Sequence, residues 1–153
     1  PFISNSTYKN TSKNRKATEV VTQRYIILEW DGLTPEEPSD KPSIDENLRR
    51  SGVMFSYVHD LLGLDHYATV FSGGKSLHMW CAMPSEENIK WLRHCANELR
   101  FKDSISGLDV SCIGASQPCR TPSYFRVEKD KEQKLIYLKP MDDIKDKSND
   151  KNR

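Results

Sequence analysis

The sequence predicts an α+β domain in which helices pack on one side of a largely antiparallel sheet. Short runs rich in aromatic and β-branched residues recur along the chain, and between them lie two segments whose apolar residues repeat at three- and four-residue steps. A length of 153 residues with 36% hydrophobic content supplies one core and no second one. Residues 1–20 are polar and are expected to be a flexible tail, residues 21–140 the folded domain, and residues 141–153 a second tail or linker.

Arg24 to Asp31 is a buried-strand pattern that ends in acids and the Gly32 turn. A Pro-rich loop, Thr34 to Pro42, follows. Ser43 stands three residues before Glu46, which is a capping-box pattern, and the helix it predicts carries Leu48, Met54, Phe55, Val58, Leu61 and Leu62 before Gly63 stops it. Tyr67 to Phe71 and Leu77 to Met83 predict a hairpin around Gly73-Gly74, since both glycines tolerate positive φ. Ser85 caps a second helix bearing Ile89, Leu92, Cys95, Ala96 and Leu99. Gly107 to Ile113 and Lys134 to Leu138 read as two further strands, joined by an irregular segment that holds Arg120-Thr121-Pro122. No internal repeat is present.

Net charge is +1, so nucleic-acid binding would have to rest on local patches rather than on overall basicity. No apolar stretch approaches the ~20 residues of a membrane span, and the first fifteen residues are polar and basic, unlike a secretory leader. A cytoplasmic, non-secreted protein is the expectation. The initial Pro fits an excised piece of a longer protein, or a cloning scar. Cys81, Cys95, Cys112 and Cys119 lack C-x-x-C spacing and are expected to be reduced thiols. A zinc site from Cys112, Cys119 and a histidine is the alternative.

The densest chemistry lies in Ser72-Gly73-Gly74-Lys75-Ser76-Leu77-His78. A P-loop, G-x-x-x-x-G-K-[ST], would need Gly where the chain has Thr69, and would run into a helix rather than into Leu77-His78-Met79-Trp80. The segment is therefore strand, glycine turn, strand. Alternation sets Ser76, His78 and Trp80 on one face and Leu77, Met79 and Cys81 on the other, with Lys75 at the turn beside backbone N–H groups able to meet phosphate. Along the first strand, alternation puts Tyr25, Ile27, Glu29 and Asp31 together and Ile26, Leu28 and Trp30 opposite. Two carboxylates at i and i+2 can converge on Mg²⁺ or Mn²⁺, although an isolated E-x-D at a strand end is ordinarily a pair of solvated turn acids. Asp109, within an apolar run, calls for a cation, a metal or a solvated cleft beside it. Arg120 offers a planar donor fork suited to phosphate, or serves as an ordinary loop arginine.

In this order the motifs resemble those of the archaeo-eukaryotic primase superfamily, over about residues 24–140. That family has an acid-x-acid motif ending its first strand, matched by Glu29-Trp30-Asp31, and a Ser-x-His motif after a glycine turn, matched by Ser76-Leu77-His78. Its third motif is an acid on a later strand, for which Asp109 is the match, with Asp103 nearby; Glu29 stands where the first Asp is common. The resemblance implies an RRM-like catalytic core and template-dependent nucleotidyl transfer with two Mg²⁺ or Mn²⁺ ions. It implies that Glu29, Asp31 and Asp109 are catalytic acids that hold the metals and that Lys75, Ser76, His78 and Arg120 bind the nucleotide. Partners would be a single-stranded DNA template and NTPs or dNTPs, with Arg49, Arg50, Arg93, Lys102 and Arg126 as candidate template contacts. The implied setting is plasmid or phage replication in a prokaryotic cytoplasm, with a helicase or accessory priming domain in the full-length protein. Repair synthesis on the same fold, and a nucleotide- or nucleic-acid-binding module without turnover, are the competing expectations. Primer extension is expected ahead of de novo priming, which needs a second nucleotide site.

Overall fold

The computed structural model describes residues 2–9, 16–30, 41–100, 107–116, 118–127 and 130–140. Among the described residues nine strands and two α-helices follow in order: β1 (Phe2–Ser4), β2 (Ser6–Tyr8), β3 (Val20–Gln23), β4 (Tyr25–Leu28), α1 (Lys41–Leu62), β5 (His66–Phe71), β6 (Leu77–Ala82), α2 (Glu86–Arg100), β7 (Pro118–Arg120), β8 (Tyr124–Arg126) and β9 (Lys131–Leu138). The main sheet has the order β4-β6-β5-β9-β8 and is antiparallel throughout. The architecture is α+β, as the sequence predicts.

Both helices cover one face of that sheet. Ile26, Leu28, Met79 and Cys81 point toward them and pack with Val58 of α1 and Ile89, Leu92 and Ala96 of α2. Residues on the alternate positions, Ile27, Val70 and Trp80, form a second cluster with Cys112 and Cys119 on the opposite face. Alternation read from the sequence thus matches the sides that residues take in β4 and β6. Every one of Ile26, Ile27 and Leu28 is fully buried because β4 is covered from both sides.

α1 begins at Lys41, so the predicted start at Ser43 is corrected. Glu46 does not close a capping box; its carboxylate takes Arg49 Nε at 2.7 Å and Arg50 Nε at 2.7 Å, the i+3 and i+4 pairs of an exposed helical face. Gly63 ends the helix at φ +58°, as expected of a left-handed C-terminal cap. Ser85 caps α2, its Oγ accepting from Asn88 N at 3.2 Å.

Three further expectations are corrected. Residues 2–8, read as tail, form β1 and β2: β1 pairs with β7 and β2 with β3. Asn5 between them is buried, and its carbonyl accepts from Arg24 N and Tyr25 N. The side-chain amide of Asn5 donates to Tyr25 O and Gly114 O, so the N-terminal segment is stitched to β4. Gly107 to Ile113 is no strand; only Leu108 bridges, to Trp30, and Val110–Ile113 turn as a short 3₁₀ helix. Asp109 explains the change, since its Oδ1 accepts from Ser111 N at 2.9 Å and Ser111 Oγ at 2.7 Å and so offers the backbone a turn in place of a ladder. The glycine turn is also wider than a two-residue hairpin: Phe71 pairs with Leu77, Ser72 N donates to Ser76 O at 3.0 Å, and of the two glycines only Gly73 has positive φ. The second tail, 141–153, lies outside the described residues, and no described helix is long and apolar enough to cross a membrane.

Gln133 of β9 is fully buried beneath the glycine turn, and both amide atoms lack a partner among the described residues. An unpaired buried amide is costly, so Gln133→Met, which keeps the volume and removes the polar atoms, is expected to raise stability by about 1–2 kcal/mol. Urea unfolding would show this as a higher midpoint at unchanged slope; a lower midpoint would mean that the amide is satisfied in solution.

Candidate functional site

Glu29 follows β4 directly, on the face of Ile27 and Trp80 rather than the face under the helices. The β4–β6 register pairs Ile27 with Trp80 and Leu28 with Met79, and one further step sets Glu29 opposite His78. Their side chains meet across the strands, with His78 Nε2 3.3 Å from Glu29 Oε2. Two residues before His78 in sequence, Ser76 donates its hydroxyl to Glu29 Oε1 at 2.5 Å. Ser76 and His78, expected to share a face, therefore do so, and both turn onto Glu29.

A second segment reaches the same carboxylate from the open edge of β4. Asp109 N donates to Glu29 O at 2.8 Å beside the Trp30–Leu108 bridge, which anchors the 3₁₀ turn against the strand. That turn brings Cys112 Sγ to 3.0 Å from Glu29 Oε2 and 3.7 Å from Asp109 Oδ2. Glu29, Asp109 and Cys112 each offer a ligand atom within 4.8 Å of the others. Asp109 thus lies beside Glu29 as the three-acid expectation requires, although it reaches there from a turn and not from a strand.

The hydroxyl of Ser76 has one proton and two neighbours, Glu29 Oε1 and Ser72 Oγ at 3.0 Å. The shorter contact to a charged acceptor takes that proton, and Ser72 then donates to Ser76, giving a two-hydroxyl relay that ends on the carboxylate. α1 fixes the turn from behind: Asn47 Nδ2 donates to Lys75 O at 2.6 Å and lies 3.4 Å from Trp30 O, so one buried amide ties the turn to the end of β4. Arg126, a candidate template cation, donates through Nη1 to Ser72 O at 3.3 Å and so stands at the turn instead. A Cβ at Gly73 would come within 3.1 Å of Arg126 Cδ and 3.3 Å of Gln133 Cγ, which together with its positive φ explains glycine at this position.

Burial alone would raise the Glu29 pKa, but the hydrogen bond and charge of His78, with the donors Ser76 and Cys112, outweigh it and bring the group down to about 2. The Cys112 thiol is pushed upward by burial and then by the nearby Glu29 carboxylate, and Cys119 rises to about 12 for the same two reasons. Both thiols keep their protons at neutral pH, and all four described cysteines are free.

Arg120 lies on β7 next to Cys119 and pairs across the strands with Phe2 of β1. Arg49 and Arg50 are engaged with Glu46 on the exposed face of α1. Asp31, Lys102 and Asp103 lie outside the described residues. Sequence reading missed Cys112 as a partner of the acids, because a strand would put positions 109 and 112 on opposite faces whereas a helical turn puts i and i+3 together. Asn47 was also missed, because a lone amide on a helix carries no sequence signal of the distant carbonyls it meets, while Ser72 was read as part of the glycine segment without its bond to Ser76.

The residues present suit a divalent ion in part: Glu29 and Asp109 supply hard oxygen donors, and Cys112 supplies a sulfur that Mg²⁺ does not favour. Because the folded pKa of Glu29 lies below its ordinary 4.5, its contribution to stability is full above about pH 5 and is lost as pH falls toward about 2. Glu29→Gln is expected to flatten the fall in unfolding midpoint between pH 5 and 2, an effect of up to about 3 kcal/mol, measured by urea unfolding across that range. An unchanged acid limb would show that other carboxylates govern it. The chain matches no protein-family model, no curated protein and no solved structure.

Proposed function

We propose that the domain is a metal-dependent nucleotidyltransferase of the primase and primase-polymerase kind, built on an RRM-like core and acting on a single-stranded DNA template. One observation carries the reading: Ser76 just before β6, His78 on β6 and Asp109 far downstream all converge on the carboxylate of Glu29, the acid after β4. That convergence supports a divalent-ion site with hydrogen-bond donors beside it, which an isolated pair of turn acids would not show.

In this reading Glu29, Asp31 and Asp109 hold one or two divalent ions, which when bound neutralise the charge of the triphosphate and the leaving pyrophosphate. Gly73 and Gly74 let the turn backbone approach the phosphates, and Lys75 adds a cation there. Ser76 and His78 have two uses for the same protons. With Glu29 unligated they donate to it; with its oxygens engaged elsewhere, the hydroxyl and the imidazole N–H are released to phosphate oxygens. Arg126, at the turn, adds a second cation, with Arg120 the further nucleotide contact that the resemblance implies. NTPs or dNTPs are the substrates, and a prokaryotic replication setting, with a helicase or accessory domain in the full-length protein, follows from the same reading.

The test is incorporation of labelled nucleotides on a primed single-stranded template, with Mg²⁺ or Mn²⁺, comparing both sugar types. Wild-type chain is expected to extend the primer, and Glu29→Gln or Asp31→Asn to lower the rate roughly 100-fold or more. Nucleotide binding without incorporation under either ion would instead identify a binding module.

A further inference from the structure

We propose that Cys112 is a metal ligand, and that Glu29, Asp109 and Cys112 together make a mixed oxygen and thiolate site for a Zn²⁺-class ion such as Zn²⁺ or Co²⁺, which the site takes in preference to Mg²⁺. The proposal rests on the reading of Glu29 and Asp109 as metal ligands and adds the donor that decides which metal they hold.

Two distances and one bound support it. In a tetrahedral site with oxygen ligands at about 2.0–2.2 Å and sulfur at about 2.3 Å, neighbouring donor atoms lie roughly 3.3–3.8 Å apart. Cys112 Sγ lies 3.0 Å from Glu29 Oε2 and 3.7 Å from Asp109 Oδ2, and all three donors fall within 4.8 Å of one another. Small side-chain adjustments therefore bring them around one ion. The backbone already holds the set together, since Asp109 N bonds Glu29 O and Cys112 N bonds Asp109 O.

An independent observation comes from His78, which is more than nine-tenths buried at 7% exposure. It aims Nε2 at Glu29 Oε2, the oxygen that the thiol also addresses, and leaves Nδ1 without a partner among the described residues. A buried imidazole directed at a carboxylate ligand is the outer partner that orients such ligands, or a further donor once the ring turns. Without a metal, two acids and a protonated thiol share a pocket with one imidazole. Binding resolves that crowding: the Cys112 S–H bond breaks, an S–metal bond forms from the sulfur lone pair, and one proton leaves to solvent for each ion bound. No oxidant or reductant is involved.

Cys119 shares the cluster of Ile27 and Trp80 with Cys112 and feels the Glu29 charge, but the donor atoms within 4.8 Å of one another are those of Glu29, Asp109 and Cys112. Cys81 lies in the helix-side core, and Cys95 sits on α2.

The experiment is titration of the whole chain with Co²⁺ alone and, separately, with Cd²⁺ alone, followed by ultraviolet absorption and by release of protons in weak buffer. A sulfur-to-metal charge-transfer band that saturates at one equivalent, with about one proton released, is the expected result. Cys112→Ser, checked for native circular dichroism, is expected to lose the band and to bind Co²⁺ more weakly by at least roughly 10-fold, while Mg²⁺ binding changes little. Cys95→Ser is expected to retain the band. A band that survives in Cys112→Ser, or ion binding that depends on Glu29 but shows no band in wild type, would overturn the thiolate ligand and leave the nucleotidyltransferase reading standing. Absence of binding by Co²⁺, Cd²⁺ and Mn²⁺ alike would overturn both.

Discussion

A carboxylate taken out of water must be compensated on the spot, and Glu29 is that carboxylate. An isolated buried charge of this kind costs far more than a small domain can supply, so the group neutralises or gathers donors. Here it gathers them from two directions. His78 comes from the neighbouring strand and Ser76 from the turn leading into it, and Cys112 comes from a turn anchored to the opposite edge. Each donor belongs to a segment that sequence separates widely from Glu29, so the tertiary fold, and no local motif, sets its ionisation.

Strand register is what delivers half of this arrangement. With Ile27 against Trp80 and Leu28 against Met79, the next pair is Glu29 and His78. A slip of one residue would turn Leu77 toward Glu29 and His78 into the helix-side core. Hydrophobic residues on both faces forbid that slip, since Ile26 and Leu28 fill one cluster and Ile27 and Trp80 the other. The core thus specifies the polar site: the same packing that stabilises the sheet selects which side chains face the acid. α1 contributes through Asn47, whose amide links the glycine turn to the end of β4 and keeps Ser76 at its distance.

Alternation along β4 and β6 was legible in the sequence because period-two patterns record burial directly, and Glu29, Ser76 and His78 were found by it. The glycine turn was legible as a turn, though its width depends on the Ser72 to Ser76 backbone bond, which spacing alone does not reveal. Asp109 was identified in the right neighbourhood for an incomplete reason. Apolar neighbours suggested a strand, while the local bonds of Asp109 to Ser111 favoured a turn, and that turn is what carries Cys112 to the acids. β1 and β2 were illegible because strands of three residues are too short to carry a pattern of their own and exist through partners a dozen or more residues away. The start of α1 was misplaced because Glu46 met two arginines one turn ahead, a competition between side chains that a capping rule does not count.

Asn5 and Ser6 bond the carbonyls of Gly114 and Ala115 across 109 residues of chain. Closing so long a loop carries an entropic cost that no local contact offsets, so it comes after the hairpin of β5 and β6, whose partners are neighbours. The acid pocket needs a closure of the same kind, since Glu29 and Cys112 meet across 83 residues of chain.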